Sequence, residues 1–344
     1  MTKTINIVLA GARSVRQGTG PFIAAALQKA GARIAGIVGT SSDTAELARR
    51  ELAQRHHITT KGYVDLRDAI ATERPDVVAI CTPWQVHAEQ LAIVAEAGCH
   101  CLVEKPLAWP LSTPQVDELI SAFEQRGLLL HMVSQWPHTL PVFESLHGAL
   151  TLPVQRFAMR LSPISIGPTM IPDAAPHLIS MLQVLNGPGD CEDIVVTAGH
   201  GGSPENSAIN SLILDFAYRT DIGVTQAQLQ LQTCAERPRP AWYQVNDLKV
   251  EREVVLPEYQ QYLTANGRRI GLDDPMGLMA AAFLTALRDG PRSQSNTGFN
   301  REQGFYGCTG TFARIHDIWR YGEPLRRGHS NLLQLADACR AALV

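Results

Sequence analysis

Apolar residues in the first 134 positions form short continuous runs, and segments with helical spacing separate them. Continuous runs of this kind are typical of strands that are buried on both faces. Strands are predicted at residues 5–9, 33–38, 75–82, 99–103 and 128–133. Helices are predicted between them, at residues 22–30, 44–54, 87–97 and 112–125. This alternation indicates an α/β fold, a doubly wound parallel sheet with helices on both faces.

The pattern changes after residue 134, where alternating polarity becomes common. Strands are predicted at residues 154–161, 193–197, 211–218 and 224–233, and helices at residues 171–185, 276–288 and 304–321. The run at 224–233 alternates strictly, with Ala227, Leu229 and Leu231 on one face and four glutamines on the other. Such a strand belongs to an antiparallel sheet with one covered face and one open face. The open face is either a subunit interface or a solvated surface.

Length and composition narrow the class of protein. Because 344 residues exceed what one core usually supports, two domains are predicted, at residues 1–134 and 135–344. The hydrophobic fraction of 45% and the charged fraction of 18% are typical of globular proteins. A net charge of −3 lacks the basic excess of nucleic-acid-binding proteins, and no apolar run approaches the ~18 residues of a membrane helix. The first apolar run enters a glycine turn instead of a signal-peptide cleavage site.

The cysteines bear on the cellular compartment and on metal binding. The chain has 7 cysteines without a C-x-x-C pair. A zinc site around Cys99, His100 and Cys101 is the alternative to buried free thiols, which are typical of cytosolic proteins. We therefore expect a cytoplasmic protein with a small-molecule substrate, without a metal site and without a nucleic-acid or membrane partner.

The loop between the first strand and the first helix contains the glycines of a phosphate-binding turn. Gly11 follows the strand, Gly18 and Gly20 precede the helix, and Arg13 and Arg16 lie between them. Bare N–H groups at a helix N-terminus favour a pyrophosphate, and glycines allow the backbone to approach it. The spacing departs from G-x-G-x-x-G, so an ordinary strand-to-helix turn remains the alternative.

The end of the second strand bears on which dinucleotide binds. An acidic residue there would bind the adenosine ribose and repel a 2′-phosphate. Thr40 and Ser41 occupy this stretch instead, and the loop arginines add positive charge. The sequence therefore favours NADP(H). NAD(H) is the alternative if Asp43 reaches back to the ribose, and Ser41 could simply cap the following helix.

The tripeptide Glu104-Lys105-Pro106 follows the predicted strand at 99–103. The carboxyl end of such a strand faces the ligand crevice of a doubly wound sheet, so Lys105 would lie where cofactor and substrate meet. Its ammonium group could stabilise negative charge that develops on a substrate oxygen. A surface lysine in a loop is the alternative interpretation.

Asp173 and His177 lie four residues apart in the predicted helix at 171–185, and therefore on one face. The carboxylate could fix the imidazole tautomer, and His177 could then take the hydroxyl proton of an alcohol as hydride leaves the same carbon. A hydrogen bond on the helix surface is the alternative.

Taken together, these motifs resemble the Gfo/Idh/MocA oxidoreductases, the glucose–fructose oxidoreductase and inositol dehydrogenase family. The resemblance is densest at Thr82-Pro83, His87, Ala97-Gly98, His100 and Glu104-Lys105-Pro106-Leu107-Ala108. It implies an N-terminal Rossmann domain and a C-terminal α/β domain with a large, mostly antiparallel open sheet. It also implies a homodimer or homotetramer assembled through that sheet.

The resemblance also implies roles for individual residues. Lys105 matches the family's active-site lysine, Glu104 a cofactor-contacting acid, and Asp173 with His177 the second catalytic motif. The family often has an acid where this chain has Ser180. The second strand likewise ends in Gly39 instead of an acid. These two departures leave cofactor identity and substrate contacts open.

The predicted sites can now be given in full. Cofactor contacts are predicted for Gly11, Arg13, Arg16, Gly18, Gly20, Thr40, Ser41, Thr82, Pro83, His87, Glu104 and Lys105. Substrate contacts are predicted for Trp84, Trp109, Gln135, Trp136 and His138. An indole face can pack on the C–H face of a sugar ring, although tryptophans also serve as plain packing residues.

The activity that the resemblance implies is NAD(P)-dependent hydride transfer at a carbinol or carbonyl carbon of a sugar, a cyclitol or a related polyol. Reduction of an imine or another C=N or C=C bond is the alternative within the same fold. Two further alternatives are a lyase or glycosidase that recycles its NAD, and a non-catalytic nucleotide sensor. The joint presence of Lys105, Asp173 and His177 speaks against the sensor, which needs none of them.

Overall fold

A computed structural model describes residues 4–13, 18–200, 209–289, 315 and 322–343 of the chain. These residues divide into two units, and the main crossing of the chain falls between residues 133 and 134. The sequence placed everything after residue 134 in the second domain, whereas the described residues at 276–289 and 322–326 return to the first unit.

The first unit contains the predicted doubly wound parallel sheet. Its six strands are β1 (Asn6–Ala10), β2 (Arg33–Val38), β3 (Lys61–Tyr63), β4 (Val77–Ile80), β5 (His100–Val103) and β6 (Leu130–Met132). All neighbouring strands pair in parallel, in the order β3-β2-β1-β4-β5-β6. The order reverses between β1 and β4, which is the switch point where such sheets bind ligands. Strand β3 was not predicted.

Helices cover both faces of this sheet. They are α1 (Gly20–Lys29), α2 (Ser42–His56), α3 (Leu66–Glu73), α4 (His87–Glu96) and α5 (Thr113–Glu124), and they are joined by α8 (Pro275–Asp289). Met279 and Phe283 of α8 belong to the same buried cluster as Ile23 and Leu27 of α1. This apolar face explains why the chain returns to the first unit after residue 275.

Among the described residues, the second unit contains eight strands and three α-helices. Helices α6 (Leu140–His147) and α7 (Met170–Asn186) precede most of the sheet, and α9 (Gly322–Ala342) comes last and begins in the first unit. The strands are β7 (Arg156–Leu161), β8 (Asp190–His200), β9 (Ile209–Thr220), β10 (Gly223–Gln232), β11 (Ala241–Val245), β12 (Leu248–Val255), β13 (Gln260–Ala265) and β14 (Arg268–Gly271). Their order is β14-β13-β12-β11-β7-β10-β9-β8, and only β7 and β10 pair in parallel. The mostly antiparallel sheet is therefore confirmed.

Strand β10 has the predicted alternation. Ala227, Leu229 and Leu231 are buried, whereas the intervening glutamines are exposed or half-buried. On the open face the Gln228 amide donates to Asp215 at 2.7 Å.

Three findings complete the fold. The predicted helix at 304–321 lies outside the described residues except for residue 315, and α9 was not predicted. The predicted helix at 276–288 is confirmed as α8. None of the helices in the described part of the chain has the length and apolarity required to cross a membrane.

Candidate functional site

The loop after β1 presses against the end of β4. Gly11 has a φ of +86°, a conformation that residues with a Cβ rarely adopt. A Cβ on Gly11 would lie 2.5 Å from the Cys81 carbonyl oxygen and 2.7 Å from the Thr82 nitrogen. The backbone N–H of Gly11 donates to the Val38 carbonyl at 3.2 Å, which fixes the loop against β2 as well. Glycine is therefore required where the loop crosses the switch point.

The other end of this loop closes on its beginning. Gly20 is the first residue of α1, and a Cβ there would collide with the Gly11 carbonyl oxygen and lie 3.1 Å from the Ala12 Cα. Pro21 follows at a position whose N–H would have no helical partner. The N-cap Thr19 makes no side-chain cap to α1. The start of α1 therefore offers an uncapped helix N-terminus to an anion.

The Thr19 hydroxyl is engaged with Glu104, the first residue after β5. Thr19 Oγ1 donates to Glu104 Oε1, and the backbone N–H of Lys105 donates to Glu104 Oε2 at 3.1 Å. The Glu104 side chain is buried, and its own N–H donates to the Ile80 carbonyl at 2.8 Å. One carboxylate thus connects the glycine loop to the segment that carries Lys105. Lys105 itself is half-buried, and the Lys105–Pro106 peptide bond is cis.

His87 connects the same segment to the loop after β4. Its ring is fully buried, with Nδ1 2.9 Å from the Pro106 carbonyl oxygen and Nε2 2.9 Å from the Thr82 carbonyl oxygen. Both ring nitrogens therefore face backbone carbonyls, and the nitrogen that carries the proton donates to its carbonyl. His87, which we predicted as a direct cofactor contact, can thus act on the site by positioning Thr82 and Pro106. The Thr82 hydroxyl donates to Gln90 at 2.7 Å.

The end of β2 is closed to an acidic side chain. A Cβ on Gly39 would lie 2.6 Å from the Ala45 nitrogen at the start of α2, so only glycine fits there. Ser41 caps α2, because its hydroxyl accepts from the Thr44 N–H at 3.2 Å. The alternative in which Ser41 caps the helix is therefore present in the structure. Thr40 and Asp43 are exposed, and Arg13 is half-buried.

The next predicted cofactor and substrate contacts follow β1, β4 and β5 in the chain. Arg16 lies outside the described residues, and Gly18 lies at the edge of that gap. Pro83 is exposed, and Trp84 and Trp109 are half-buried at the loops after β4 and β5. Both tryptophans are therefore partly accessible to solvent.

In the second unit, Asp173 and His177 lie one turn apart on α7, and both are half-buried. Asp173 Oδ2 accepts from the Ser165 hydroxyl at 3.1 Å and from the Ile164 N–H at 3.3 Å. The segment after β7 therefore fixes the carboxylate at the N-terminal turn of α7, where the helix dipole favours negative charge.

Ser180, which replaces a family acid, is buried and fully used. Its hydroxyl donates to the His177 carbonyl at 2.8 Å and accepts from the Ser134 hydroxyl at 2.6 Å. A carboxylate in place of the Ser180 hydroxyl would be buried beside the Ser134 hydroxyl and the His177 carbonyl, and neither of these groups carries a positive charge. Ser180 therefore supports α7 one turn beyond His177.

Trp136 is a packing residue in this structure, as the alternative interpretation held. It is buried, its edge meets the Tyr243 ring at a centroid distance of 6.2 Å, and the Arg252 guanidinium lies 5.2 Å from its ring centroid. His138 is buried nearby and Gln135 is half-buried. The sequence analysis did not identify Thr19 or Arg252. The spacing of β12 could have revealed Arg252, since it places a charge between Val250 and Val254.

Comparison with known proteins agrees with this geometry. Residues 5–134 match the model of an oxidoreductase family, Gfo/Idh/MocA, described as an NAD-binding Rossmann fold. The chain is 29% identical over 173 residues to UDP-N-acetylglucosamine 3-dehydrogenase from Acidithiobacillus ferrooxidans, a match that covers 48% of this chain and 53% of that protein. It is 33% identical over 96 residues to scyllo-inositol 2-dehydrogenase (NADP(+)) from Bacillus subtilis, which covers 28% of each. The matches thus span about half or less of these curated relatives.

Solved structures share the whole fold at lower identity. UDP-N-acetylglucosamine 3-dehydrogenase superposes over 100% of both chains with a TM-score of 0.63 and 19% identity. A 3-ketoreductase from Actinomadura kijaniata, solved with TDP-benzene and NADP, superposes over 98% of both chains with a TM-score of 0.62 and 19% identity. At these identities the likeness shows the fold.

Proposed function

We propose that the chain, whose residues 5–134 match the model of the Gfo/Idh/MocA oxidoreductase family, is an NAD(P)-dependent dehydrogenase or reductase. It transfers hydride between the nicotinamide and a carbinol or carbonyl carbon of a sugar, a cyclitol or a related polyol. The relatives named as dehydrogenases of a nucleotide sugar and of an inositol support this substrate class.

The residues at the switch point fit a dinucleotide. The lack of a Cβ at Gly11 and Gly20 lets the loop pack closely against the end of β4 and against the start of α1, whose N-terminus is not capped by the Thr19 side chain. A pyrophosphate can bind such a turn through backbone N–H groups and the helix dipole. When bound, the nicotinamide supplies the hydride acceptor or donor.

The observation that carries the proposal is the buried Glu104 carboxylate, which joins Thr19 at the start of α1 to the backbone of Lys105. These two hydrogen bonds fix the backbone of Lys105 in space relative to the phosphate-binding turn. A surface lysine in a mobile loop would not require a buried carboxylate beside it.

Two side chains have separate roles in the reaction: one takes the proton and the other stabilises the negative charge on oxygen. Oxidation of an alcohol releases a hydride from carbon and a proton from the hydroxyl group. We assign the proton to the His177 imidazole, whose neighbour Asp173 is fixed by Ser165 and Ile164. We assign the oxygen to Lys105, whose Nζ donates a hydrogen bond to it and stabilises its developing negative charge. Reduction of a ketone uses the same groups in reverse.

NADP(H) is the proposed cofactor. No acid can replace Gly39 without meeting the backbone of Ala45, so no carboxylate repels a 2′-phosphate at this position. Thr40 and Ser41 follow the same strand end with their hydroxyl groups, and Arg13 adds a cation in the loop after β1. The NADP named with the 3-ketoreductase and with the inositol dehydrogenase supports this choice.

The proposal is tested by assaying the purified chain with NAD+ and NADP+ against a panel of sugars, cyclitols and polyols. Net formation of reduced nicotinamide is expected, with a lower KM for NADP+. Conversion of a substrate without net reduction would contradict the proposal in favour of a lyase or glycosidase. Cofactor binding without any turnover across the panel would contradict it in favour of a sensor.

A further inference from the structure

Strand β12 places one arginine among apolar residues on the covered face of the second unit's sheet. Val250 and Val254 are buried, and Arg252 lies between them with the same orientation. In the register of the sheet, Arg252 pairs with Ala241 on β11 and with Leu263 on β13. Both neighbours are buried and apolar, so the adjacent strands offer the guanidinium no carboxylate.

The contacts of Arg252 leave most of its hydrogen-bonding capacity unused. Nη2 donates to the Arg239 carbonyl at 3.4 Å, and the guanidinium stacks over Trp136. Nε is buried and has no hydrogen-bond partner among the described residues. Burial lowers the pKa of Arg252, yet an arginine stays protonated in proteins, so among the described residues this positive charge has no carboxylate partner.

Other arginines of the same sheet differ from Arg252 in this respect. Arg156, Arg219 and Arg269 each pair with a carboxylate, at 2.6, 2.8 and 2.9 Å respectively. All three are exposed, where such pairs contribute little to stability. Arg160 and Arg268 of this sheet contact amide or carbonyl oxygens instead, and Arg252 differs from both because its Nε is buried without a hydrogen-bond partner among the described residues.

A cavity of about 360 Å³ adjoins Arg252, bounded by the loop at Pro238, Arg239 and Pro240 and by Thr264 of β13. Glu251 and Glu253 also border it, but their carboxylates are paired with Lys249 at 2.7 Å and with Arg269 at 2.9 Å. The cavity can thus accommodate a small organic anion or a phosphate group, and the nearby acids are already neutralised.

The wall of this cavity is connected to the proposed catalytic helix. The Pro240 carbonyl accepts from the Ser162 hydroxyl at 3.0 Å, and the residues that follow Ser162 fix Asp173 through Ser165. Trp136, on which the guanidinium stacks, opens a short 3-10 helix that also packs against α7. Arg252 therefore lies in the same unit as His177, and its packing partner Trp136 belongs to an element that contacts α7.

We infer that Arg252 and the adjoining cavity form an oxyanion subsite that binds the carboxylate or phosphate group of an acidic substrate. This inference rests on the proposed dehydrogenase function and adds that the preferred polyol is a sugar acid or a phosphorylated sugar. A guanidinium suits both groups because its planar fork donates two parallel hydrogen bonds.

Anion binding is tested first, without catalysis. Malonate and inorganic phosphate are titrated into the full chain by calorimetry, with Arg252→Met, Arg252→Lys and, as a matched control, Arg219→Met. We expect at least about tenfold weaker binding for Arg252→Met and a smaller loss for Arg252→Lys, whose point charge lacks the fork. Arg219→Met should bind like the wild type, since Arg219 is exposed on the same sheet and paired with Glu192. Arg252→Lys also keeps the inference testable if Arg252→Met does not fold.

Measurements of turnover then distinguish a carboxylate substrate from a phosphate substrate. They also distinguish the oxyanion subsite from the dehydrogenase function. A sugar acid, a sugar phosphate and the neutral parent sugar are compared as substrates, and Arg252→Met should reduce kcat/KM at least about tenfold for the preferred acid only. Anion binding that is unaffected by Arg252, or absent in the wild type, would overturn the inference even if neutral polyols are oxidised. Arg252-dependent binding without any turnover would leave the subsite standing and overturn the dehydrogenase proposal instead.

Discussion

Glu104 and Lys105 are neighbours in the chain and have opposite surroundings. The Glu104 carboxylate is buried and accepts from Thr19 and from a backbone N–H, whereas Lys105 is half-buried after β5. A buried carboxylate with fixed donors holds a backbone in place. The ammonium group of Lys105 is the one that we propose for the chemistry. The sequence indicated both residues but not the structural role of Glu104, because its hydrogen-bond partner Thr19 is far from it along the chain.

Replacing Lys105 by alanine is expected to separate binding from chemistry. Lys105→Ala should lower kcat by about 100-fold or more, since it removes the hydrogen bond to the substrate oxygen as charge develops there. Cofactor affinity should change little, because Glu104 and the glycine loop remain. Steady-state kinetics and a cofactor titration measure the two effects, with the exposed Lys29→Ala as the control. A wild-type kcat in Lys105→Ala would refute the assigned role.

Removing His87 tests its bridging role. His87→Ala removes the ring N–H from which one of the two carbonyls, of Thr82 or of Pro106, accepts, and an unsatisfied group of this kind costs about 1–3 kcal/mol. Denaturant unfolding should therefore show a loss of about 1–3 kcal/mol. His57→Ala is the control, since that side chain is exposed after α2. Equal stability of the two variants would show that the ring does not tie the two loops together.

At the scale of elements, the sequence predicted the helices and strands whose apolar residues form continuous runs or recur at regular spacing. The buried strands β1, β4 and β5 were read from continuous apolar runs. Strand β3 escaped because it has three residues, Lys61–Tyr63, none of them buried. In β12, charged and apolar residues mix, so the covered face is set by the neighbouring strands and not by the segment itself. The spacing of β12 places Arg252 between Val250 and Val254, but only the register shows that this face of the sheet is the covered one.

The close approach of the glycine loop to β4 yields a prediction with a built-in control. Gly11→Ala and Gly98→Ala both place a Cβ on a residue with positive φ, at +86° and +73°. Only at Gly11 does the Cβ meet backbone atoms, whereas nothing lies within 4 Å at Gly98. Gly98→Ala should cost about 1 kcal/mol of stability, and Gly11→Ala clearly more. Gly11→Ala should also weaken cofactor binding at least about tenfold. Indistinguishable unfolding curves for the two variants would exclude the close approach.

At the scale of the whole molecule, the open face of the second unit's sheet is the expected subunit interface. Val195 and Ile213 are 62% and 37% exposed on this face, beside the amides of Gln228 and Gln230. Apolar side chains among amides on a broad sheet favour association with a second copy. We therefore expect a homodimer or homotetramer.

A charge on that face tests the assembly. Ile213→Lys should shift the chain toward monomers in light scattering coupled to size exclusion, because it buries an unpaired ammonium in the interface. Leu47→Lys, on the exposed side of α2 in the first unit, should leave the assembly unchanged. A monomeric wild type, or an unaltered assembly in Ile213→Lys, would assign the open face to solvent.

The central claim is that the switch point of the first unit, bounded by Gly11, Gly20 and Glu104, binds a nicotinamide dinucleotide. Titration of the full chain with NADPH and NADH, followed by the fluorescence of the reduced nicotinamide, tests it most directly. The account predicts saturable binding of one nucleotide per chain, tighter for NADPH and strongly weakened in Gly11→Ala. Absence of saturable binding of either nucleotide to the folded wild-type chain would contradict it.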